Sequence, residues 1–477
     1  MVAQERLRRT KIVCTIGPSC NTPEGIDALL HAGMNVARLN FSHGSHADHA
    51  ANIKNLRVCA ERENIPLAIM QDLPGPKDRT GKAKKGGIIL TEGAEFTLTT
   101  DAVLGDENRV SIEWLDLPRN VKIGQTIRLG DGSMKIEVQS ISSTDIVCKV
   151  IDGGRLTDHQ GISVPGLVIE GASITEEDWE HLEFGIQHKV DFVALSFIRD
   201  ASDIQMVKDF LQKHGANIAV IAKIERPEAL ENIDAIIAVA DGIMVARGDL
   251  GIQVPIQKVP MIQKKLIQQC NIAGKPVIVA TQMLESMVDS AYPTRAEATD
   301  VANAIFDGAD ALMLSEETAV GRHPRDAVSI MAQIALEAED ALPYDEILAT
   351  KGKSLEPKTD DAISYAACYM AHQLGATAII AFTTSGGTAR RVARNRPRVP
   401  ILAITPNETT RQRLLLSWGV YTFRIPVSDK MTDLFLKGAR VAKESQFAKE
   451  GDIVIITGGV PIGFAGGTNL LKVEKIK

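Results

Sequence analysis

What this chain does not contain narrows its function before any motif is found. Lysine and arginine number 53 against 60 aspartates and glutamates, giving a net charge of −7 and a pI near 5.9. That leaves no basic surplus for a nucleic acid or an anionic membrane, although local basic clusters can still hold small phosphorylated molecules. No apolar run reaches the about 18 residues that a membrane-crossing helix needs. The opening MVAQERLRRTK is positively charged but lacks the apolar stretch of a secretion signal. A cytoplasmic chain acting on small ligands is expected. The six cysteines, Cys14, Cys20, Cys59, Cys148, Cys270 and Cys368, have no paired spacing of the kind that builds zinc sites or redox motifs. They are expected as reduced core residues. Short internal repeats and low-complexity tracts are also missing.

What is there is a long alternation of apolar strands and amphipathic helices, the pattern of a parallel sheet wrapped by helices. At 477 residues the chain has room for two to four domains. KIVCTIG, NVARLNF and PLAIMQD read as the first three strands. Thr22-Pro23-Glu24 starts the first helix, with the threonine as cap and the proline in the first turn, and Gly33 ends it. After Asp72 the helical period disappears. From 73 to 168, short β-type runs such as AEFTLTT, MKIEVQSI and DIVCKVI are separated by Gly, Asp, Asn and Pro, which describes an inserted β-rich domain. Thr175 to Asp178 then starts another helix, and DFVALSF, IAVIAK, GIMVA, PVIVA and DALML bring the strand count to eight. The expected fold is a (β/α)8 TIM barrel with parts at 1–72 and 169–341, interrupted by a small β-barrel-like lid. Beyond about Ala341 a polar connector containing KGKSLEPKTDD leads to strands TAIIAF, PILAIT, VYTFRI and DIVIIT, expected as a doubly wound α/β domain over 342–477.

A barrel of this type carries its chemistry at the C-terminal ends of its strands. Polar residues gather there: Arg38 and Asn40 after strand two, Asp72 after three, Lys223 and Glu225 after five, Asp249 after six, Thr281 and Gln282 after seven, Ser315 and Glu317 after eight. The segment from Ile221 to Gly251 is the centre of this set. Side chains two apart on a strand point the same way, so Lys223 and Glu225 are aimed at one place. Asp249 adds a second carboxylate, and Gly248 lets a ligand come close to the backbone. Two carboxylates and a lysine suit a divalent cation carrying a phosphorylated or carboxylated substrate. Taken singly, each has a plainer explanation: a solvated ion pair for Lys223 and Glu225, a helix cap for Asp249, a packed stem for Arg38, a satisfied buried hydroxyl for Thr281.

Along its whole length the chain resembles the pyruvate kinase family. RLNFSHGSH at Arg38 to His46, KIERPEAL, MVARGDLG, ATQMLESM with PTRAE, and MLSEETAVGRHP are similar to family signatures in the same order. The resemblance implies transfer of the phosphoryl group of phosphoenolpyruvate to ADP, giving pyruvate and ATP in the last step of glycolysis. By the same resemblance Glu225 and Asp249 bind the catalytic magnesium, with manganese able to replace it, and Lys223 and Arg38 hold the phosphoryl group. Gly248, Asp249 and Thr281 face the substrate carboxylate, and Thr281 is linked to protonating the enolate. Asn40, Ser42, Asp72 and the carbonyl of Leu73 match a potassium site, while Asn40, His43 and Arg79 fall on the nucleotide side. The run Thr383, Thr384, Ser385, Gly386, Gly387 and Thr388 matches a loop that binds a phosphorylated allosteric effector, and GGVPIGFAGGTN the terminal effector loop. A homotetramer is implied as well.

Several positions depart from the family pattern. Lys77 stands where potassium-dependent members carry glutamate; a tethered ammonium can supply the charge a potassium ion brings, so weak or absent potassium dependence is expected. Gln160 and Ser163 replace a lysine and an asparagine usual in the lid, and Pro74 and Asp78 are unusual in the hinge. Two other readings fit less of the sequence: a metal-dependent pyruvate aldolase or lyase leaves the lid unexplained, and an inactive sensor of phosphorylated metabolites leaves the retention of Lys223, Glu225, Asp249 and Thr281 unexplained.

Overall fold

A computed structural model of the chain describes residues 7–76, 78–130, 132–167, 172–353, 355–426, 431–460 and 467–477. Lys77 and residues 461–466 of the terminal loop lie outside the described residues. Eight parallel strands close into a barrel: Lys11–Thr15, Val36–Asn40, Ala68–Asp72, Phe192–Leu195, Ala219–Ile224, Gly242–Ala246, Val277–Ala280 and Ala311–Leu314. Each pairs with its neighbours in chain order, and the first pairs with the last. Most are buried on both faces, which is why they read as nearly unbroken apolar runs. The helices between them begin where the sequence places their caps. Thr22 accepts a hydrogen bond from the Gly25 N–H, Pro23 opens the helix, and Gly33 ends it in the left-handed region at φ 118°. Thr175 and Asp178 form a reciprocal capping box at the helix that follows the insertion.

Between the third and fourth barrel strands the chain builds a six-stranded sheet and a two-stranded ribbon around a separate core that includes Phe96, Leu98, Ile127 and Ile136. The C-terminal domain is a five-stranded sheet in which Ala378–Phe382, Ile401–Thr405, Val420–Arg424 and Ile453–Gly458 run parallel. The last strand, Leu470–Lys475, is antiparallel to Ile453–Gly458 and was not read from the sequence. A tight turn, Leu414–Leu416, seats Leu415 and Leu416 against the apolar interior of the barrel at its base. The polar connector expected after Ala341 is a correction. Most of it is the helix Tyr344–Lys353, which buries Tyr344 and Leu348, half-buries Ile347 and is mainly polar elsewhere. All six cysteines are free and buried, and burial pushes the Cys20 thiol up to about 11.

Candidate active site

At the barrel mouth the strand-end residues meet in one charge network. Lys223, near the end of the fifth strand, places Nζ 3.2 Å from Asp72 Oδ1 and 2.9 Å from Glu225 Oε1. The same ammonium donates to Ser196 Oγ at 2.6 Å, and Ser196 donates to the Leu73 carbonyl at 2.6 Å. The second oxygen of Asp72 accepts from Arg38 Nε at 2.6 Å, and Arg38 Nη1 donates to Thr15 Oγ1 at 3.0 Å. Asp72 and Glu225 are each only 1% exposed. Burial works against the charge on Lys223, but Asp72 and Glu225 outweigh it and hold its pKa above the ordinary lysine value. Burial likewise opposes ionisation of Asp72, and Lys223 with Arg38 carry its pKa below the usual range. Glu225 goes the other way: burial raises it, Lys223 opposes the rise, and Asp249 adds to it.

A second part of the mouth is a strained turn after the seventh strand. Thr281 at φ 70° and Gln282 at φ 54° occupy the left-handed region that non-glycine residues avoid. Arg247 pins them, donating to the Thr281 carbonyl at 2.7 Å and the Gln282 carbonyl at 3.2 Å, while Asp300 holds Arg247 at 2.5 Å. So fixed, the Thr281 hydroxyl accepts from the Gly248 N–H at 2.7 Å and donates to the Ala280 carbonyl at 2.6 Å. A Cβ at position 248 would lie 3.4 Å from that hydroxyl, so glycine keeps this side open. Asp249 sits in the first turn of the helix Arg247–Gln253. Behind the turn, fully buried Glu317 accepts from the backbone N–H of Leu284 and of Ser315, joining the loops after strands seven and eight.

Asn40 and Asp72 are partners across strands two and three, and Asn40 Oδ1 accepts from the Ser42 N–H at 3.2 Å. Asn40, Ser42, Asp72 and Leu73 are thus gathered at two neighbouring strand ends. Around the rim, the His43 carbonyl accepts from the His49 ring at 3.0 Å, and Arg79 donates to the His159 carbonyl at 3.0 Å from the lid's hinge. Gln253 donates to Ser163 of the lid at 2.8 Å, so lid and barrel touch beside Asp249. Gln160 pairs through its backbone with Thr80. Pro74 has no structural account, but Asp78 lies in the same narrow cleft as Arg226, Phe197 and Asp249. Burial and Glu113 push its carboxyl up to about 6, against the pull of Arg226.

In the C-terminal domain, Thr383 accepts from the Gly386 N–H at 2.9 Å and the Thr384 carbonyl accepts from Asn407 and Thr410. Gly386 takes φ 87°, which turns the loop from Ser385 into the helix Gly387–Ala393. Thr388 pairs with Thr468 at 2.9 Å. Arg391 is held by Asp360 at 2.6 Å, facing the helix Thr359–Gln373.

Two residues of the mouth network escaped the sequence reading, Thr15 and Ser196. Both lie at the ends of barrel strands one and four, for which no polar residue was named. Applying the strand-end rule to all eight strands finds them. Arg247 was visible as a charge after strand six, but its hold on the Thr281 turn depends on a strained backbone that no sequence pattern displays.

Residues 7–328 match the model of the pyruvate kinase barrel domain and residues 361–474 that of the pyruvate kinase alpha/beta domain. A pyruvate kinase of Geobacillus stearothermophilus is 46% identical over 98% of this chain and 80% of its own length. One of Clostridium acetobutylicum is 43% identical over 99% of this chain and all of its own length. Among solved structures, a pyruvate kinase from Cryptosporidium parvum superposes with a TM-score of 0.92 at 37% identity, covering 98% of this chain and 96% of its own. With two family models spanning most of its length, and relatives aligned from end to end, the chain belongs to the pyruvate kinase family.

Proposed function

We propose that the barrel mouth is where this chain carries out the family's reaction, moving the phosphoryl group of phosphoenolpyruvate to ADP and leaving pyruvate and ATP. The observation that carries the reading is Lys223, buried and held charged between Asp72 and Glu225 at the strand ends. The family's reaction needs a divalent metal, and the residues here fit one. Glu225 is 1% exposed and among the described residues meets only Lys223 at Oε1 and the Phe197 N–H at Oε2, and burial with Asp249 nearby disfavours its negative charge, a situation that a cation relieves. Glu225 and Asp249 would hold that ion, magnesium with manganese as a substitute. When bound it would supply positive charge that offsets the charge on the phosphoryl group.

The chain's own groups do the rest. Arg38 and Lys223 hold the phosphoryl group, both oriented by Asp72, so little freedom is lost when substrate arrives. As the bond between phosphorus and the enol oxygen breaks and one to the ADP oxygen forms, Lys223 stabilises the enolate left behind. The enolate then takes a proton on carbon to become pyruvate, with the Thr281 hydroxyl on the proton's route. The backbone N–H of Asp249 receives the substrate carboxylate, joined by that of Gly248 once it leaves the Thr281 hydroxyl. Asn40, His43 and Arg79 face the nucleotide, and the lid excludes water by closing along the Ser163–Gln253 contact.

Asn40, Ser42, Asp72 and the Leu73 carbonyl form the potassium position, and Lys77 supplies a charge that makes potassium dispensable. The loop Thr383 to Thr388 takes the phosphorylated effector, and the working form is a cytoplasmic homotetramer, both by likeness to the family. A coupled lactate dehydrogenase assay with phosphoenolpyruvate, ADP and magnesium tests the reading. Activity without potassium is expected. Activity only with potassium would keep the kinase and discard the role of Lys77; none under either condition would remove the kinase.

A further inference from the structure

Next to His43, three histidines pack around Phe41 in a part of the barrel that the proposed reaction does not use. The helix His46–Glu63 supplies His46 and His49, and the helix Glu176–Gln187 supplies His181. His46 Nε2 and His181 Nδ1 stand 2.8 Å apart, within hydrogen-bond distance. The His49 ring stacks on Phe41 with 4.0 Å between centroids, and the His181 ring meets Phe41 edge-on at 5.0 Å. His49 and His181 are buried, whereas His46 is at the surface.

The cluster is tied to the mouth at three points. The His49 ring donates to the His43 carbonyl at 3.0 Å, the Phe41 N–H donates to the Asp72 carbonyl at 3.0 Å, and the His181 carbonyl accepts from the Gln71 side chain at 2.7 Å. Ser42 and His43 lie between Phe41, fixed by the ring stack, and the helix cap Ser45, next to His46. The histidines therefore hold this segment at both ends.

Such a cluster counts protons. A hydrogen bond between two imidazoles needs one N–H and one lone pair, so the His46–His181 contact survives one added proton and breaks with two. His181 Nε2 faces Glu177 Oε1 at 3.6 Å and has no hydrogen-bond partner among the described residues, which favours a proton there and the lone pair at Nδ1. A further proton must then sit on Nδ1, against the N–H of His46. At His49 the Nε2 proton is committed to His43, and Nδ1 is buried without a partner among the described residues, so a proton added there meets no acceptor. Glu177, Asp178 and Glu180 face His181 from its own helix, and Asp48 and His46 face His49 from its own. Across the contact each meets a histidine, His46 for His181 and His181 for His49, and the side chains packed between them, Phe41 and Gln71, are uncharged. Burial is the largest influence on both rings and keeps each below the ordinary histidine value of 6.5.

We propose that these histidines form an acid-sensitive clasp: closed at pH 7, it opens when a second proton enters the His46–His181 pair or one enters His49, freeing Ser42 and His43 and weakening the hold on a nucleoside diphosphate. The inference rests on the placement of His43 toward the nucleotide proposed above. Below about pH 6.5 the unfolded chain takes up protons that the closed clasp refuses, so stability is complete above that pH and falls below it. Nucleotide affinity falls in the same direction, by about tenfold per pH unit for each proton once most molecules are open.

The test follows KM for ADP and the urea midpoint of the full chain from about pH 8 to about pH 5.5, in wild type, His181→Asn and His49→Gln. Asparagine keeps an acceptor for His46 and glutamine keeps a donor for His43, so both variants retain the bonds and lose the titration. Titration of ADP itself is common to all three proteins and cancels in their ratio. Over this range KM for ADP should rise at least about fivefold more in wild type than in His181→Asn, while KM for phosphoenolpyruvate follows one profile in all. The wild-type midpoint should fall below about pH 6.5 more steeply than that of either variant. If His181→Asn does not fold by circular dichroism, His49→Gln carries the comparison. Variant profiles that match wild type in both measurements overturn the proposal. A midpoint difference with coincident KM profiles overturns the link to the nucleotide, while turnover itself keeps the kinase reading. No turnover in wild type at about pH 8 removes that reading, and the midpoints then decide on the clasp alone.

Discussion

The two ends of the barrel hold buried lysines that behave in opposite ways. At the mouth, Lys223 stays charged with its pKa raised, because carboxylates stand 3.2 and 2.9 Å away. At the base, Lys11 is buried to a similar degree, yet its nearest partner is the Val420 carbonyl at 2.6 Å, and the Tyr421 ring lies 4.9 Å off. Burial, with Arg8 adding to it, pushes Lys11 down to about 7 despite Glu339 and Asp310. Burial sets the size of the penalty; contact with a carboxylate decides its sign. A lysine paid for by two acids can meet an anionic substrate fully charged at every physiological pH, whereas Lys11 is a packing residue whose charge is optional.

That difference can be broken or sharpened by substitution. Lys223→Met should reduce kcat by on the order of 10³-fold, the scale on which one preorganised donor acts on a developing oxyanion, whereas Lys11→Met should leave kcat within a few-fold. Comparable losses in both, in the coupled assay, would erase the distinction. Next in size, Asp72→Asn leaves Arg38 and Lys223 buried with one counter-charge fewer and should cost about 3 kcal/mol of stability, read from urea unfolding. Smallest is a pH effect. Between about pH 7 and pH 10 the unfolded chain holds a proton on Lys11 that the folded chain lacks, so this group's penalty is present below pH 7 and relieved as pH rises. Lys11→Met should therefore flatten the rise of stability over that window, by up to about 1.4 kcal/mol per pH unit. An unchanged slope would show that Lys11 is charged in the fold.

How much of this was legible in the sequence follows from which physical signals a sequence carries. The barrel strands were readable because strands buried on both faces cannot hide their apolar runs, and the helix between them was announced by Thr22, Pro23 and Gly33. The core of the mouth was readable because Lys223 and Glu225 obey the two-residue strand period and come within 2.9 Å of each other. The helix Tyr344–Lys353 was not, since it buries only Tyr344 and Leu348 and its remaining residues look like a linker. Leu470–Lys475 was missed because an edge strand that is partly exposed shows no buried run.

The proposed reaction requires that Glu225 and Asp249 form one cation site beside Lys223. Manganese binding followed by electron paramagnetic resonance on wild type, Glu225→Gln and Asp249→Asn tests it most directly. One ion per chain is expected in the wild type, with each variant weakening it at least about tenfold, since even outer partners of a metal act on that scale. Wild-type affinity in either variant would place the ion elsewhere and contradict the account.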